Sequence, residues 1–220
     1  MKNLEDIVDR IESRLEERDQ VREVAIKSTR SLACSCLTAS SCTSIRDTRL
    51  SGSIVHSIHK GEDVKSMMHE AIDEAHRLRS LLEDYPGMWE SGLVEGALQE
   101  LAEAAVLYAL VNDEDVPDPD EMGLPGTAYV LGLADVIGEL RRFALERLRE
   151  GKADEASRYL DMMEELFLVI MRFDFPDAII PIRRKQDVAR SLLEKTRGEV
   201  AVALSAAMLQ AKLESVSRKL

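Results

Sequence analysis

The sequence predicts an all-α fold, and three of its features support that prediction. Alanine, leucine, glutamate and arginine are abundant, whereas aromatic residues make up 4% of the 220 residues. Apolar residues recur at spacings of three and four along several long stretches, which is the period of an amphipathic helix. No stretch shows the alternation of apolar and polar residues that predicts a half-buried strand. We expect one domain, residues 1–220, built as a bundle of about seven helices.

Composition and charge restrict the class of protein. Apolar residues make up 45% of the chain and charged residues 32%, as in soluble globular proteins. The net charge of −12 argues against a wholly basic surface, although a local basic patch can still act within a Debye length of about 8–10 Å. The charged start predicts no signal peptide, and no apolar run approaches the length of a membrane span. With an odd number of cysteines, we expect reduced thiols, a cytoplasmic location and no membrane partner.

The first half of the chain predicts three helices. Residues 4–45 carry Leu4, Val8, Ile11 and Leu15 at helical spacing, and the length of this helix indicates an oligomer or a long bundle. After Gly and Ser residues that predict a loop, a second helix is expected at about residues 62–83, ended by Tyr-Pro-Gly. A third is expected at about residues 88–111.

The second half predicts three or four more helices. The segment 112–126 holds three of the six prolines and predicts a solvated loop. Thr127 can cap the next helix, which we expect to extend to about residue 150. A helix at about residues 155–172 follows. After a proline-containing connection, the rest is predicted to be helical, with a break at Gly198.

Two of these helices each carry a pair of carboxylates one turn apart. The stretch GALQELAEA contains Glu100 and Glu103, and YVLGLADVIGELRR contains Asp135 and Glu139. Residues three or four apart lie on the same face of a helix. The flanking residues are apolar, and acids in such surroundings are uncommon. Each pair is therefore a candidate functional site.

Metal binding is the chemistry that such acids favour. Carboxylates gathered in an apolar setting repel one another and take up protons unless a cation compensates. Oxygen ligands suit Mg²⁺ or Mn²⁺, which can activate water and stabilise the charge of a phosphodiester being cut. Two glycines, Gly132 and Gly138, lie near the second pair. Glycine inside a helix costs about 1 kcal/mol relative to alanine, so its presence usually has a packing or functional reason. Here the missing side chains could let a ligand approach the backbone. The candidate metal ligands and catalytic residues are Glu100, Glu103, Asp135 and Glu139.

Other interpretations of the same residues remain open. An acid pair on a helix is more often a solvated face. A di-iron bundle needs Glu-x-x-His motifs, and the histidines lie elsewhere in the sequence, at His56, His59, His69 and His76. Cys34, Cys36 and Cys42 have no metal-binding spacing and are predicted to be buried free thiols. Trp89 is predicted to lie in the core, although an aromatic ring could also stack on a base.

The acidic stretches resemble the translin superfamily, specifically its translin-associated factor X (TRAX) type. The resemblance is carried by residues 96–104, 129–142 and the C-terminal IRRKQDVARSLLEKTRGEV. It implies a seven-helix domain that assembles into a closed, hollow octamer. It also implies a metal-dependent endoribonuclease whose TRAX-type subunit supplies the four acids named above. Translin-type subunits lack most of these acids, so their presence favours the catalytic type and, for a chain that forms the whole shell, a homo-oligomer.

Cleavage of RNA requires basic residues that hold the phosphates. The densest basic run lies at residues 183–185, and a basic residue follows the second acid pair. An N-terminal segment with few acids carries further positive charge against the acidic average. The candidate nucleic-acid-binding residues are Lys27, Arg30, Arg46, Arg49, Arg141, Arg183, Arg184 and Lys185. The expected substrate is single-stranded RNA with little sequence readout; single-stranded DNA and short duplex RNA are alternatives.

The sequence therefore leads to one hypothesis and two rivals. The first is a Mg²⁺-dependent endoribonuclease in a homo-oligomer. The second is a non-catalytic module that binds RNA or single-stranded DNA, as a translin-type subunit would. The third is a helical scaffold without affinity for nucleic acid.

Overall fold

The structure, a computed structural model, describes residues 3–47 and 61–217, with side chains for 3–36 and 64–217. This part of the chain contains helices and no strand, so the all-α prediction is confirmed. The helices are α1 (Leu4–Asp47), α2 (Gly61–Leu81), α3 (Pro86–Trp89), α4 (Gly92–Val111), α5 (Gly126–Arg149), α6 (Ala153–Ile170) and α7 (Arg183–Ser217).

Two predicted helix boundaries and one predicted cap were wrong. Thr127 does not cap α5, because the helix begins at Gly126 and Thr127 lies within its first turn. The predicted third helix is divided into α3 and α4, because Pro86 begins a short helix that closes when the Glu90 N–H donates to the Pro86 carbonyl at 2.9 Å. The predicted break at Gly198 is absent, and α7 is continuous. Thr196 and Val200, on either side of the glycine, are both buried, and their burial offsets the low helix propensity of glycine.

The contacts group the chain into two compact units. The first unit comprises Met1–Ala104 with Pro117–Ala128, and the second comprises Ala105–Val116 with Tyr129–Leu220. Each unit is described by itself below. The expectation of a single domain over residues 1–220 stays a prediction.

In the first unit, α1 packs along α2. One face of α1 buries Ala25, Leu32 and Cys36, and Ser28 on the same helix donates a hydrogen bond to Glu74 of α2. Buried apolar residues of α2, α4 and the loop before α5 complete this core: Val64, Met68, Ala71, Ala75, Leu78, Leu82, Val94, Ala97, Leu98, Leu101, Ala102, Met122 and Leu124.

One glycine in the first unit permits a close approach. Gly123 has a φ of +67°, and a Cβ there would lie 2.8 Å from the ring of His76. The ring Nε2 lies 3.3 Å from the Glu121 carbonyl oxygen. The left-handed backbone and the close approach of the His76 ring both favour glycine at this position in the loop after Pro117.

The second unit buries a core formed by α5, α6, α7 and the end of α4. Phe143 and Tyr159 stack with ring centroids 5.5 Å apart. Arg147 is buried at the end of α5 and forms ion pairs with Glu150 at 3.1 Å and Glu155 at 3.4 Å. These contacts join the end of α5 to the start of α6. The apolar part of the core includes Val136, Ile137, Leu140, Ala156, Leu160, Met163, Leu166, Ile170, Ala189 and Leu193.

The two longest helices expose apolar side chains, α1 near its N-terminus and α7 in its second half. On α1 they are Leu4, Val8, Ile11 and Leu15, and the second half of α7 exposes a larger set that includes Val202, Met208 and Leu213. By length and composition alone, α7 is the one helix within the described residues that could cross a membrane, and 6% of its apolar window is buried. A single such helix is weak evidence for a membrane span, and the expectation of no membrane partner stays a prediction.

Candidate functional site

The acid pair of α4 lies in the first unit. Glu100 and Glu103 are both half-buried, and the residues between them, Leu101 and Ala102, are fully buried. The Oε2 atom of Glu100 is buried and has no hydrogen-bond partner among the described residues. A buried carboxylate oxygen without a partner is costly. It is the kind of atom that a bound cation would satisfy.

A buried thiol lies beside the same two acids. The pKa of Cys36 is raised from 9.0 to about 12, mainly by burial and also by the nearby negative charges of Glu100 and Glu103. The thiol therefore stays protonated at neutral pH and adds no negative charge to the pair. The predicted burial of free thiols is confirmed for Cys36 and wrong for Cys34, which is exposed.

The acid pair of α5 lies in the second unit, and each of its members has a basic partner. The Lys185 ammonium, at the start of α7, donates to Asp135 Oδ1 at 2.5 Å. Arg142 Nε donates to Glu139 Oε2 at 3.0 Å, one turn along the same helix. Asp135 and Glu139 are half-buried, with 31% and 28% of their side-chain surface exposed. These carboxylates are thus partly neutralised by the chain itself.

Two glycines leave room on the helices that carry the acids. Apart from the chain neighbours and the backbone of the same helix, no described atom lies within 4 Å of the place that a Cβ would take on Gly96 or on Gly138. Gly96 is one turn before Glu100, and Gly138 immediately precedes Glu139. Carboxylate oxygens with space beside them fit a hard divalent cation such as Mg²⁺.

The two acid pairs belong to different units, and their union in one site stays a prediction. Among the side chains that the structure describes, no group of three or more His, Cys, Asp and Glu residues is arranged to hold a metal ion. The described residues supply one pair of carboxylates in each unit. In the first unit the Oε2 atom of Glu100 is buried and has no hydrogen-bond partner among them, and in the second unit both acids are charge-paired.

The predicted RNA-binding residues fall into three groups: exposed residues, residues outside the described part of the chain, and residues held by contacts within the second unit. Lys27 and Arg30 on α1 and Arg184 on α7 are exposed. Arg183 pairs with Asp174 at 3.5 Å, and both side chains are largely exposed. The side chain of Arg46 and the whole of Arg49 lie outside the described residues, as do the side chain of Cys42 and the histidines at positions 56 and 59.

Arg141 and Lys185 form the third group, because both are held within the second unit. Arg141 Nη1 donates to Glu199 Oε2 at 2.8 Å and Nη2 donates to Oε1 at 3.0 Å. Arg141 also donates to Thr196 Oγ1 at 2.5 Å. The sequence offered no signal for Glu199 as a partner, since it lies on another helix and 58 positions away.

Trp89 is half-buried. The prediction that it lies in the core was therefore wrong. Trp89 lines a cavity of about 380 Å³ in the first unit together with Arg79, Leu82 and Pro86. The alternative role of the ring, stacking on a base, stays a prediction.

The chain was compared with models of known protein families. The model of the translin family matches residues 20–199, which include both acid pairs. The chain belongs to the translin family. A relative in Methanocaldococcus jannaschii, an uncharacterised protein, is 32% identical over 206 residues, covering 92% of this chain and 85% of its own length.

Solved structures support the translin-like fold. This translin-family chain is similar to AfC3PO in its complex with duplex RNA, with a TM-score of 0.77, 27% identity and coverage of 91% of this chain and 98% of the other. The structure of AfC3PO alone gives a TM-score of 0.78 and 28% identity over the same shares. Apo-NeC3PO, at 18% identity and a TM-score of 0.73 over 89% and 96% of the chains, shares the fold. The seven-helix translin-like fold implied by the sequence resemblance is confirmed.

Proposed function

We propose that this translin-family protein is a Mg²⁺-dependent endoribonuclease of the TRAX type. Glu100, Glu103, Asp135 and Glu139 would hold the metal, Mg²⁺ or Mn²⁺. The observation that carries the proposal is the α4 pair, where Glu100 Oε2 is buried with no hydrogen-bond partner among the described residues, beside a second half-buried acid. The positions between and after these acids, among them Leu101, Ala102 and Ala104, are buried and apolar. The presence of the acids is explained if they bind a cation.

The residues of the chain divide the chemistry among them. Bound Mg²⁺ would supply an activated water and stabilise the charge that develops on the phosphodiester. The carboxylates keep the metal and the water in place, and the apolar residues around Glu103 limit access of bulk water. The exposed basic side chains of Lys27, Arg30 and Arg184 attract the phosphates.

The nucleic acid that the protein binds is proposed to be RNA. AfC3PO, which is similar over nearly its whole length, has been solved in complex with duplex RNA. The local charge on α1 around Lys27 and Arg30 opposes the acidic average of the chain. Single-stranded RNA is the expected substrate for cutting, because its backbone can bend to bring a phosphate to the acids. Short duplex RNA is a second ligand to be tested.

A non-catalytic RNA-binding module is the second candidate. One observation favours it: Asp135 and Glu139 are paired with Lys185 and Arg142, as acids with a purely structural role would be. Such a translin-type module would bind RNA without any need for metal. The two candidates therefore differ in their dependence on Mg²⁺.

Incubation of the full-length protein with end-labelled single-stranded RNA separates the two. The nuclease yields product on a denaturing gel with Mg²⁺ and none with EDTA. Glu103→Ala and Asp135→Asn are expected to bind RNA as the wild type does, and to lose cleavage by about 100-fold or more, since each removes a metal ligand. Full activity in both variants would refute the site.

A matched control uses an acid of the same helix. Glu146 lies on α5 and pairs with the exposed Arg149 at 2.8 Å. Glu146→Gln should leave cleavage unchanged within about twofold, because an exposed helix pair contributes little. RNA binding that persists in EDTA, with no product at any Mg²⁺ concentration, would instead establish the non-catalytic module.

We also propose that the protein assembles into a homo-oligomer, with the closed octamer of the superfamily as the expected form. The exposed apolar side chains of α7, among them Val202 and Leu213 at 72% and 62% exposure, support self-association.

A further inference from the structure

Lys185 occupies a place where it and a metal would compete for the same carboxylate. Its ammonium donates to Asp135 Oδ1 at 2.5 Å, and the two side chains are 26% and 31% exposed. Asp135 is a proposed metal ligand. The chain thus carries its own cation on a carboxylate that the proposed metal also needs.

The approach of Lys185 to Asp135 is fixed by the neighbouring residue. The side-chain amide of Gln186 is buried and donates to the carbonyls of Ile170 and Phe173, both at 2.9 Å. These two bonds fasten the first turn of α7 to the end of α6. Ile182, one turn before, is fully buried. The backbone that carries Lys185 is therefore rigid, and the lysine reaches α5 by its flexible stem.

An ammonium and a divalent cation cannot both neutralise one carboxylate at no cost. Both favour the same oxygen atoms, and charges of +1 and +2 a few ångströms apart repel each other. Mg²⁺ and Mn²⁺ also require a full coordination shell around the ion, which a tightly bound ammonium obstructs. Metal binding at Asp135 should therefore require Lys185 to move away.

A phosphate offers Lys185 another partner. The lysine side chain has four rotatable bonds, so the ammonium can turn away from Asp135 without any movement of the backbone. Exposed Arg183 and Arg184 precede it on the first turn of α7, where they attract nucleic acid. An RNA phosphate near this turn can take over the ammonium and leave Asp135 free.

We propose that Lys185 is an exchangeable counter-ion that couples RNA binding to metal binding. Without RNA it neutralises Asp135 and weakens metal affinity. When RNA is bound, Lys185 moves to a phosphate and metal affinity rises. Because coupling is reciprocal, metal should tighten RNA binding by the same factor. This inference rests on the proposed metal site and adds a reason for the site to fill mainly when substrate is present.

The test measures Mn²⁺ affinity of the full-length protein, by the loss of the free Mn²⁺ signal in electron paramagnetic resonance. A short 2′-O-methyl, phosphorothioate oligouridylate serves as an RNA that is not cut. In the wild type the RNA should tighten Mn²⁺ binding about fivefold, the scale of a partly exposed ion pair. In Lys185→Met, Mn²⁺ alone should bind about fivefold more tightly than to the wild type, and the RNA should add little.

Lys195→Met is the matched control, because it makes the same substitution at an exposed position of the same helix that has no proposed role in binding. It should leave the Mn²⁺ affinity and its response to RNA within about twofold of the wild type, with folding of all variants checked by circular dichroism. Equal Mn²⁺ affinity in the wild type and Lys185→Met, or an equal gain in Lys195→Met, overturns the exchange and leaves the nuclease proposal standing. Failure of all three proteins to bind Mn²⁺ overturns both proposals.

Discussion

The guanidinium of Arg141 on α5 and the carboxylate of Glu199 on α7 form a two-pronged ion pair, with N–O distances of 2.8 and 3.0 Å. Arg141 is 16% exposed, and it also donates to Thr196, whose side chain is buried. A residue predicted to hold RNA is therefore already engaged between two helices of the second unit.

A prediction about Arg141 follows from this pairing. Arg141→Met should lower the stability of the protein by about 1–2 kcal/mol, because Glu199 and Thr196 lose a charged donor. Denaturant unfolding measures this change. Glu199→Gln releases the arginine and should keep or raise RNA affinity. A fall in RNA affinity in Arg141→Met of tenfold or more, without loss of stability, would show that Arg141 contacts RNA and that the pair is dispensable.

When no metal is bound, the buried carboxylate of Glu100 should lower the stability of the folded protein. Its buried Oε2 has no partner among the described residues, so Glu100→Gln, which removes the charge, should raise the stability in EDTA by about 1 kcal/mol. Saturating Mg²⁺ should stabilise the wild type and have a smaller effect on the variant. Thermal unfolding with EDTA and with Mg²⁺ tests both statements; a variant less stable than the wild type in EDTA would contradict them.

Cys36 should be the less reactive of the two thiols on α1 whose side chains are described. Its pKa of about 12 and its burial protect it, whereas Cys34 is exposed. Iodoacetamide near neutral pH should modify Cys34 first, as read by peptide mass spectrometry. Because the Glu100 charge raises the pKa of Cys36, Glu100→Gln should speed its modification.

The raised pKa of Cys36 also predicts how the stability of the protein changes at alkaline pH. In the unfolded chain Cys36 ionises near its ordinary pKa of 9.0, whereas in the folded protein it ionises at about 12. The folded state therefore binds the proton more tightly, and this contribution to stability is present below pH 9 and is lost as the pH rises towards 12. Cys36→Ala should show a shallower fall of stability over this range in denaturant titrations.

Arg147 should be the charged residue of α5 that matters most for stability. It is 1% exposed and pairs with Glu150 and Glu155, so Arg147→Ala leaves a cavity and removes the buried cation from two carboxylates that keep only the half-exposed Lys152 among these ion pairs. The expected cost is about 3 kcal/mol. Arg149→Ala, which removes a side chain that is 75% exposed, should cost at most about 0.5 kcal/mol. Similar losses in the two variants, by urea unfolding, would refute a special role for Arg147.

The exposed apolar side of α7 should stabilise the oligomer. Leu213 is 62% exposed, and Leu213→Asp places a charge in the proposed contact and should shift the protein to smaller species in light scattering coupled to size exclusion. Ala211→Asp is the control, because residues two apart point to opposite sides of a helix. An unchanged mass for Leu213→Asp would mean that this side of α7 is not a subunit contact.

Much of the helical framework could be predicted from the sequence, because helix formation is a local property. The spacing of apolar residues located α1, α2, α5 and α6 within a few residues. The boundaries that failed, the division of α3 from α4 and the continuity of α7, depended on a turn at Glu90 and on the burial of Thr196 and Val200.

The sequence by itself determined the two acid pairs, since residues three or four apart on a helix share a face wherever the helix packs. Only the tertiary structure decided what surrounds each pair: the buried thiol of Cys36 beside Glu100, and Lys185 on Asp135, 50 positions apart in the chain. Such partners are chosen by the packing of helices that are distant in sequence. No local pattern records them, because the periodicity of one helix contains no information about which helix will lie against it.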